Sequence, residues 1–343
     1  MALPPRIDVH SHFLPPSYSA TLALTGHSKP DGMPRIPPWS RSAHLEMMAA
    51  ANVSKSILSI SSPGTNLVRE DNALNLNTTR ECNAYAARLK EDDPEKFGFW
   101  AALPLPDVQA SLEEMDRAVG EGADGFGLMT NYHGDYVGAP AFDAVFEKLN
   151  RLGATVFIHP TTPCMTHDGQ VLQAKPLRDL LPAPTLEFFF DTARAVVNLF
   201  VSGTVDRCPN VSFIIPHAGG ALPPLLTRFV TLSTLIPGQI PLNATTVQHQ
   251  LSTQFYFDLA GTVFEGPHGG QGQLKAFVDG FELSHERLLY GSDYPFTGTA
   301  FVEDFAQRMK EGLKELFGEE QRAKVYVGNA EGLLARKMVQ EGG

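Results

Sequence analysis

Cysteines, positive charges and long apolar runs are all scarce in this chain, and each shortage removes a class of protein. The three cysteines, Cys82, Cys164 and Cys208, are odd in number and widely spaced, which argues against a disulfide framework or a thiolate metal site. Lysine and arginine total 27 against 38 aspartates and glutamates, a net charge of -11, so no affinity for nucleic acid is expected. No apolar stretch approaches the ~20 residues that cross a bilayer. Met1-Ala2-Leu3-Pro4-Pro5 enters a strand-like run at once, without the basic and then apolar order of a secretory signal, so no membrane partner and a cytoplasmic location are expected. The Gly-X-Gly-X-X-Gly fingerprint of dinucleotide enzymes is also missing.

What is present is a regular alternation. With 43% hydrophobic and 19% charged residues over 343 positions, the chain has the balance of a globular protein with a large core. Short apolar runs read as strands at Arg6–His10, Ser56–Ser61, Phe97–Leu103, Gly125–Met129, Thr155–His159, Val211–His217, Gln254–Leu259 and Arg287–Asp293. Helical spacing fills the gaps: Leu112, Met115 and Val119 share one face, and Phe142, Val145, Phe146 and Leu149 another. Eight strand–helix units predict an α/β fold of the (β/α)₈ TIM-barrel type, formed as one domain over 1–343. The Pro- and Gly-rich segment Phe13–Ser40 and the segment 160–184 are too long for ordinary connections. They are read as insertions after strands one and five that cap the barrel mouth.

Chemistry in such a barrel gathers where the strands end. His10 and His12 end the first strand and, two residues apart, face the same way. His159 ends the fifth strand, His217 the sixth and Asp293 the eighth. The imidazoles of His10, His12 and His159 with the carboxylate of Asp293 suit one divalent cation, Zn²⁺ or else Mn²⁺, with a position left for water or substrate. His217, in Pro216-His217-Ala218-Gly219-Gly220, is either a further ligand or, as preferred here, an acid, base or water-positioner beside the metal. The fourth strand ends Gly127-Leu128-Met129-Thr130, without the lysine that bridges two metals in many barrel hydrolases, which favours a single ion.

Four segments together, Asp8-Val9-His10-Ser11-His12, Phe157-Ile158-His159-Pro160, Pro216-His217-Ala218-Gly219-Gly220 and Gly291-Ser292-Asp293-Tyr294-Pro295, resemble the amidohydrolase superfamily. Within it they are similar to the decarboxylase branch of aminocarboxymuconate semialdehyde decarboxylase and γ-resorcylate decarboxylase. Ser61-Ser62-Pro63-Gly64, Leu103-Pro104-Leu105-Pro106 and Thr130-Asn131-Tyr132 look like members of the 6-methylsalicylate decarboxylase type. The resemblance implies His10, His12, His159 and Asp293 as ligands, with His217 and Asp293 as catalytic groups. The reaction expected from it is metal-dependent, non-oxidative decarboxylation of an ortho-hydroxy aromatic acid, 6-methylsalicylate to 3-methylphenol and CO₂. Hydrolysis of a lactone or amide at the same metal is the alternative.

An anionic substrate calls for a cation besides the metal. Arg228 lies eleven residues after His217, and the resemblance implies that such an arginine reaches a neighbouring subunit's site in a homodimer; Arg41 is a second candidate. Phe13, Trp39, Phe188 and Phe296 are the expected walls for a planar ring.

Overall fold

The computed structural model describes residues 3–168, 170–174, 177, 180–238, 240–264 and 272–339. Eight strands pair in parallel in chain order: β1 Arg6–His12, β2 Val53–Ser59, β3 Phe97–Ala102, β4 Gly125–Met129, β5 Thr155–His159, β6 Ser212–Ile215, β7 Phe255–Asp258 and β8 Leu288–Leu289. The circle closes where Tyr290 bridges Asp8 and its carbonyl accepts from the Val9 N–H at 3.1 Å. Parallel strands need crossovers, and helices such as Asn72–Asp92, Val108–Gly120 and Glu187–Val201 supply them. Ser40, Asp71, Asp107 and Asn243 start four helices by accepting the N–H three residues on, at 3.0 to 3.2 Å.

The strands are apolar on both faces, yet the period of two still sorts them. Ile57, Trp100, Phe157, Ile214, Tyr256 and Leu289 fill the barrel interior with Ile7 and Val9. Their neighbours Leu58, Phe99, Val156, Phe213, Phe255 and Leu288 face the helices. In β1 the phase changes. Asp8 pairs with Ser56 but Ser11 with Leu58, so β1 carries one extra residue between them, a β-bulge. His10 therefore turns inward directly after the inward Val9 and packs its ring on Phe157 at 4.9 Å. Trp100 Nε1 donates to the Val9 carbonyl at the bulge, 2.9 Å away.

Several boundaries differ from expectation. The eighth strand keeps only two residues in the sheet, and Asp293 lies beyond it in a turn. His217 likewise leaves the sixth strand and sits in a tight turn. The helix Ala244–Thr253 leads into the seventh strand. Both insertions have structure of their own: a helix at Pro16–Leu24 in the first, and an antiparallel hairpin of Cys164–His167 with Gln170–Gln173 in the second. They meet where Thr162 Oγ1 donates to Asp31 Oδ1 at 2.5 Å. Among the described residues no helix is long and apolar enough to cross a membrane.

Candidate metal centre and active-site cavity

The ends of β1, β5 and β8 bring His10, His12, His159 and Asp293 together, with one ligand atom from each lying within 4.8 Å of all the others. Asp293 arrives there because the chain past β8 folds over the end of β1. The N–H groups of Ser292 and Asp293 both donate to the His10 carbonyl, at 3.1 and 2.8 Å, and Asp293 adopts a left-handed φ of 59°. The fold-over is close enough to favour glycine at 291, since a Cβ there would lie 2.8 Å from the His10 Cβ and force the segments apart.

Acceptors beside Nδ1 fix how the three rings present themselves. His10 Nδ1 donates to Asp258 Oδ2 at 3.0 Å and His159 Nδ1 to the Pro160 carbonyl at 2.6 Å, while His12 Nδ1 donates to Ser59, whose carbonyl lies at 3.2 Å and whose Oγ, itself donating to the Ser11 carbonyl, lies at 3.0 Å. Each ring thus carries its proton on Nδ1 and offers Nε2 to the common centre. The Nε2 atoms of His10 and His12 are buried without a hydrogen-bond partner, and Asp293 Oδ1 lies 3.5 and 3.2 Å from them. Buried polar atoms are normally paired, so these unpaired nitrogens around a carboxylate fit a divalent cation.

Burial and mutual repulsion hold the His12 and His159 rings neutral, His159 far below the usual imidazole range. Burial also opposes charge on His10, but Asp258 and Asp293 outweigh it and push the ring up to about 10. In the same way burial opposes ionisation of Asp293, and the imidazoles of His10, His12 and His217 beside it outweigh that, so the group stays a carboxylate. A cation at the centre would replace the second proton of His10.

The centre lies at the base of a cavity of about 340 Å³. His217 stands on its wall with Nε2 3.8 Å from Asp293 Oδ2 and its side chain 12% exposed. Phe188, Phe189, Phe296 and Phe305 provide apolar surface, and Asp31, Met33, Pro184 and Thr185 bring parts of both insertions to the rim. No lysine or arginine is among the described lining residues. The Phe296 ring meets His12 at 5.6 Å, and Phe188 meets His159 at 6.2 Å.

Of the residues expected here from sequence, the structure brings together His10, His12, His159, His217, Asp293, Phe188 and Phe296. Four others lie elsewhere. Phe13 is fully buried behind the wall, against Trp39 and Tyr85, and Trp39 donates Nε1 to His44 Nδ1 at 3.1 Å. Their size and apolarity place them in the packing layer between the barrel and its helices. Arg41 pairs with Asp92 and Asp93, which precede β3, at 3.6 and 3.7 Å. Arg228 lies within its own chain on a separate apolar groove with Val197, Leu225 and Ile236.

The sequence reading passed over Asp258, Ser59 and Phe189. Asp258 carried a signal: it follows the inward Tyr256 by two residues, as His159 follows the inward Phe157. Asp8, next to the site, accepts the N–H groups of His10 and Ser292 at 3.2 and 3.0 Å, and burial pushes its carboxyl up to about 7.

A closed parallel barrel with three imidazoles and a carboxylate converging at its carboxyl-terminal rim defines a metal-binding barrel enzyme of the kind whose site lies at the strand ends. The chain belongs to the amidohydrolase family, which it matches over residues 7–336. It is 35% identical over 322 residues to decarboxylase yanB of Aspergillus niger, covering 92% of this chain and 83% of that protein. It is 34% identical to the 6-methylsalicylic acid decarboxylase of Penicillium expansum, covering 84% of this chain and 85% of the relative. Among solved structures, an amidohydrolase II superposes with a TM-score of 0.84 at 30% identity, covering 96% of this chain and all of that one (100%). At 20% identity, a dihydroxybenzoic acid decarboxylase of Polaromonas, holding manganese and 2-nitroresorcinol, shares the fold with a TM-score of 0.75 over 96% of this chain and 97% of its own.

Proposed function

We propose that this protein is a carboxy-lyase that removes the carboxyl group of an ortho-hydroxy aromatic acid without oxidation, converting 6-methylsalicylate to 3-methylphenol and CO₂. The reading is carried by the 34% identity to the Penicillium expansum 6-methylsalicylic acid decarboxylase, and the aromatic cavity ending at the histidine–aspartate cluster suits it. The chain works as one domain, in the cytoplasm.

His10, His12, His159 and Asp293 would hold the divalent cation. Their nitrogen-rich set suits Zn²⁺, and Mn²⁺, which the Polaromonas neighbour holds, is the rival. The cation supplies positive charge for the substrate's carboxylate and phenolic oxygens. Phe188 and Phe296 bind the faces of the ring and keep water out. His217 Nε2 hands a proton to the ring carbon that bears the carboxylate, and Asp293 stabilises the charged imidazolium before transfer. The C–COO⁻ bond then breaks, its electron pair returns to the ring, CO₂ departs, and His217 regains a proton from solvent. Among the described residues no lysine or arginine lines the cavity, and a homodimer in which Arg228 serves the neighbouring site belongs to the same proposal.

Incubating the metal-loaded protein with 6-methylsalicylate should release equal amounts of 3-methylphenol and CO₂. A chelator should stop the release, and benzoate, without the ortho hydroxyl, should not react. Hydrolysis of lactones or amides with no CO₂ from any hydroxybenzoate would overturn the reading.

A further inference from the structure

Asp258, at the end of β7, is wholly buried, and both of its oxygens are engaged by parts of the site that come from different strands. Oδ2 accepts from His10 Nδ1 at 3.0 Å. Oδ1 accepts two backbone N–H groups, that of His217 at 3.1 Å and that of Ala260 at 3.0 Å. The turn that begins at His217 is conformationally costly, because His217 and Ala218 both hold left-handed φ values of 55° and 52°. Gly220, further along, comes so near the backbone of helix Glu187–Val201 that a Cβ would meet the Phe189 carbonyl oxygen at 2.8 Å.

We propose that Asp258 is a positioning residue that ties the ring of His10 and the turn carrying His217 to one buried carboxylate, so that metal affinity and proton delivery depend on the same group. The proposal rests on the reading of His10 as a ligand and of His217 as the proton donor. The reason only a carboxylate serves is stereochemical. All three groups facing Asp258 are donors, and a carboxylate accepts on both oxygens. In Asp258→Asn one oxygen becomes an NH₂ donor. With the amide oxygen kept on the two backbone groups, the NH₂ faces His10 Nδ1, which must then accept. The ring proton moves to Nε2, the atom that points at Asp293, and the nitrogen needed for the metal is lost. With the amide reversed, the His217 and Ala260 N–H groups face a donor and the left-handed turn loses its anchor. Neither orientation preserves both functions.

The test compares wild-type protein with D258N. Zinc affinity is measured by competition with a chromophoric chelator, kcat and KM at saturating zinc with 6-methylsalicylate, and stability by thermal unfolding. Losing a carboxylate behind a metal-bound histidine typically weakens metal binding about 10- to 100-fold, and this range is expected here. A fall in kcat of about 10-fold or more is expected to persist when zinc is saturating, because His217 is displaced as well.

A purely structural role would lower the unfolding temperature without changing the zinc affinity of the folded fraction. Wild-type zinc affinity in D258N, or full recovery of kcat with excess zinc, would overturn the proposal. An independent measurement on the zinc-loaded wild type, long-range ¹H–¹⁵N correlation of the histidine rings, should find the His10 proton on Nδ1. A proton on Nε2 would overturn the proposal even if D258N did not fold. A wild-type protein that binds no divalent cation would overturn the metal reading and this inference together, whereas wild-type binding with unchanged D258N overturns this inference alone.

Discussion

Gly291→Ala tests how closely the four converging groups are packed. An alanine Cβ at this position would sit 2.8 Å from the Cβ of His10 and 3.0 Å from the Cβ of Ala260, where carbon–carbon contacts ordinarily lie at about 3.5–4.0 Å. Gly291 is outside the left-handed region, so the penalty comes from space alone. Neither neighbour yields easily. His10 is held in β1 with its ring on Asp258, and Ala260 follows β7 with its N–H on the same carboxylate. The segments must therefore part by roughly 0.5–1 Å. Overpacking of this kind costs about 1–3 kcal/mol of stability.

The functional loss should be larger, because the Ser292 and Asp293 N–H groups hang from the His10 carbonyl and any shift reaches Asp293 directly. Misplacement by ~1 Å at a catalytic site costs on the order of 100-fold in rate. G291A is expected to fold, to lose about that much in kcat/KM for 6-methylsalicylate, and to bind zinc more weakly in a chelator competition. Values within two-fold of wild type in both assays would refute the packing argument.

Chelator-treated protein should lose stability between pH 7.5 and 9.5. His10 is raised to about 10, so its contribution is complete below the unfolded value of ~6.5 and fades as pH climbs toward 10. Asp258 and Asp293 are depressed and lose theirs only under acid conditions. Urea midpoints at the two pH values, with and without zinc, test this, and equal midpoints in the metal-free protein would contradict it. Phe296→Ala should raise KM several-fold, whereas Arg41→Ala, which removes only half-exposed pairs with Asp92 and Asp93, should leave kcat/KM unchanged and alter stability by about 1 kcal/mol or less. Steady-state kinetics on the two variants decide it, an R41A defect equal to that of F296A being the contrary result. His44 is buried and kept neutral, its ring pushed down to about 3 by burial, while it pairs with Trp39 Nε1 and Ser56 Oγ at 3.1 Å each. His44→Leu should cost about 1–3 kcal/mol for each partner left unsatisfied, and unaltered zinc affinity in the same preparation should mark the role as structural.

Much of the fold was legible because a parallel barrel writes itself as short apolar runs separated by helical periods. The strand ends then marked His10, His12, His159, His217 and Asp293 without any three-dimensional information. Selecting wall residues was harder. Phe13 and Phe296 both directly follow ligand motifs, yet Phe13 turns back toward Trp39 and Tyr85 while Phe296 faces His12. Aromatic character is shared by packing layer and cavity lining, so sequence could not separate them. Arginines posed the same difficulty, since charge alone does not reveal that Arg41 already has Asp92 and Asp93 beside it.

The linear chain determined which chemical groups exist and at which strand ends they emerge, because both follow from local periodicity. Tertiary structure decided which way those groups turn. The bulge between Asp8 and Ser11 swings His10 inward out of phase, the fold-over at Gly291 delivers Asp293, and the buried Asp258 joins His10 to His217. Each depends on how strands distant in the chain are registered against one another, and register is a property of the closed barrel rather than of any one segment.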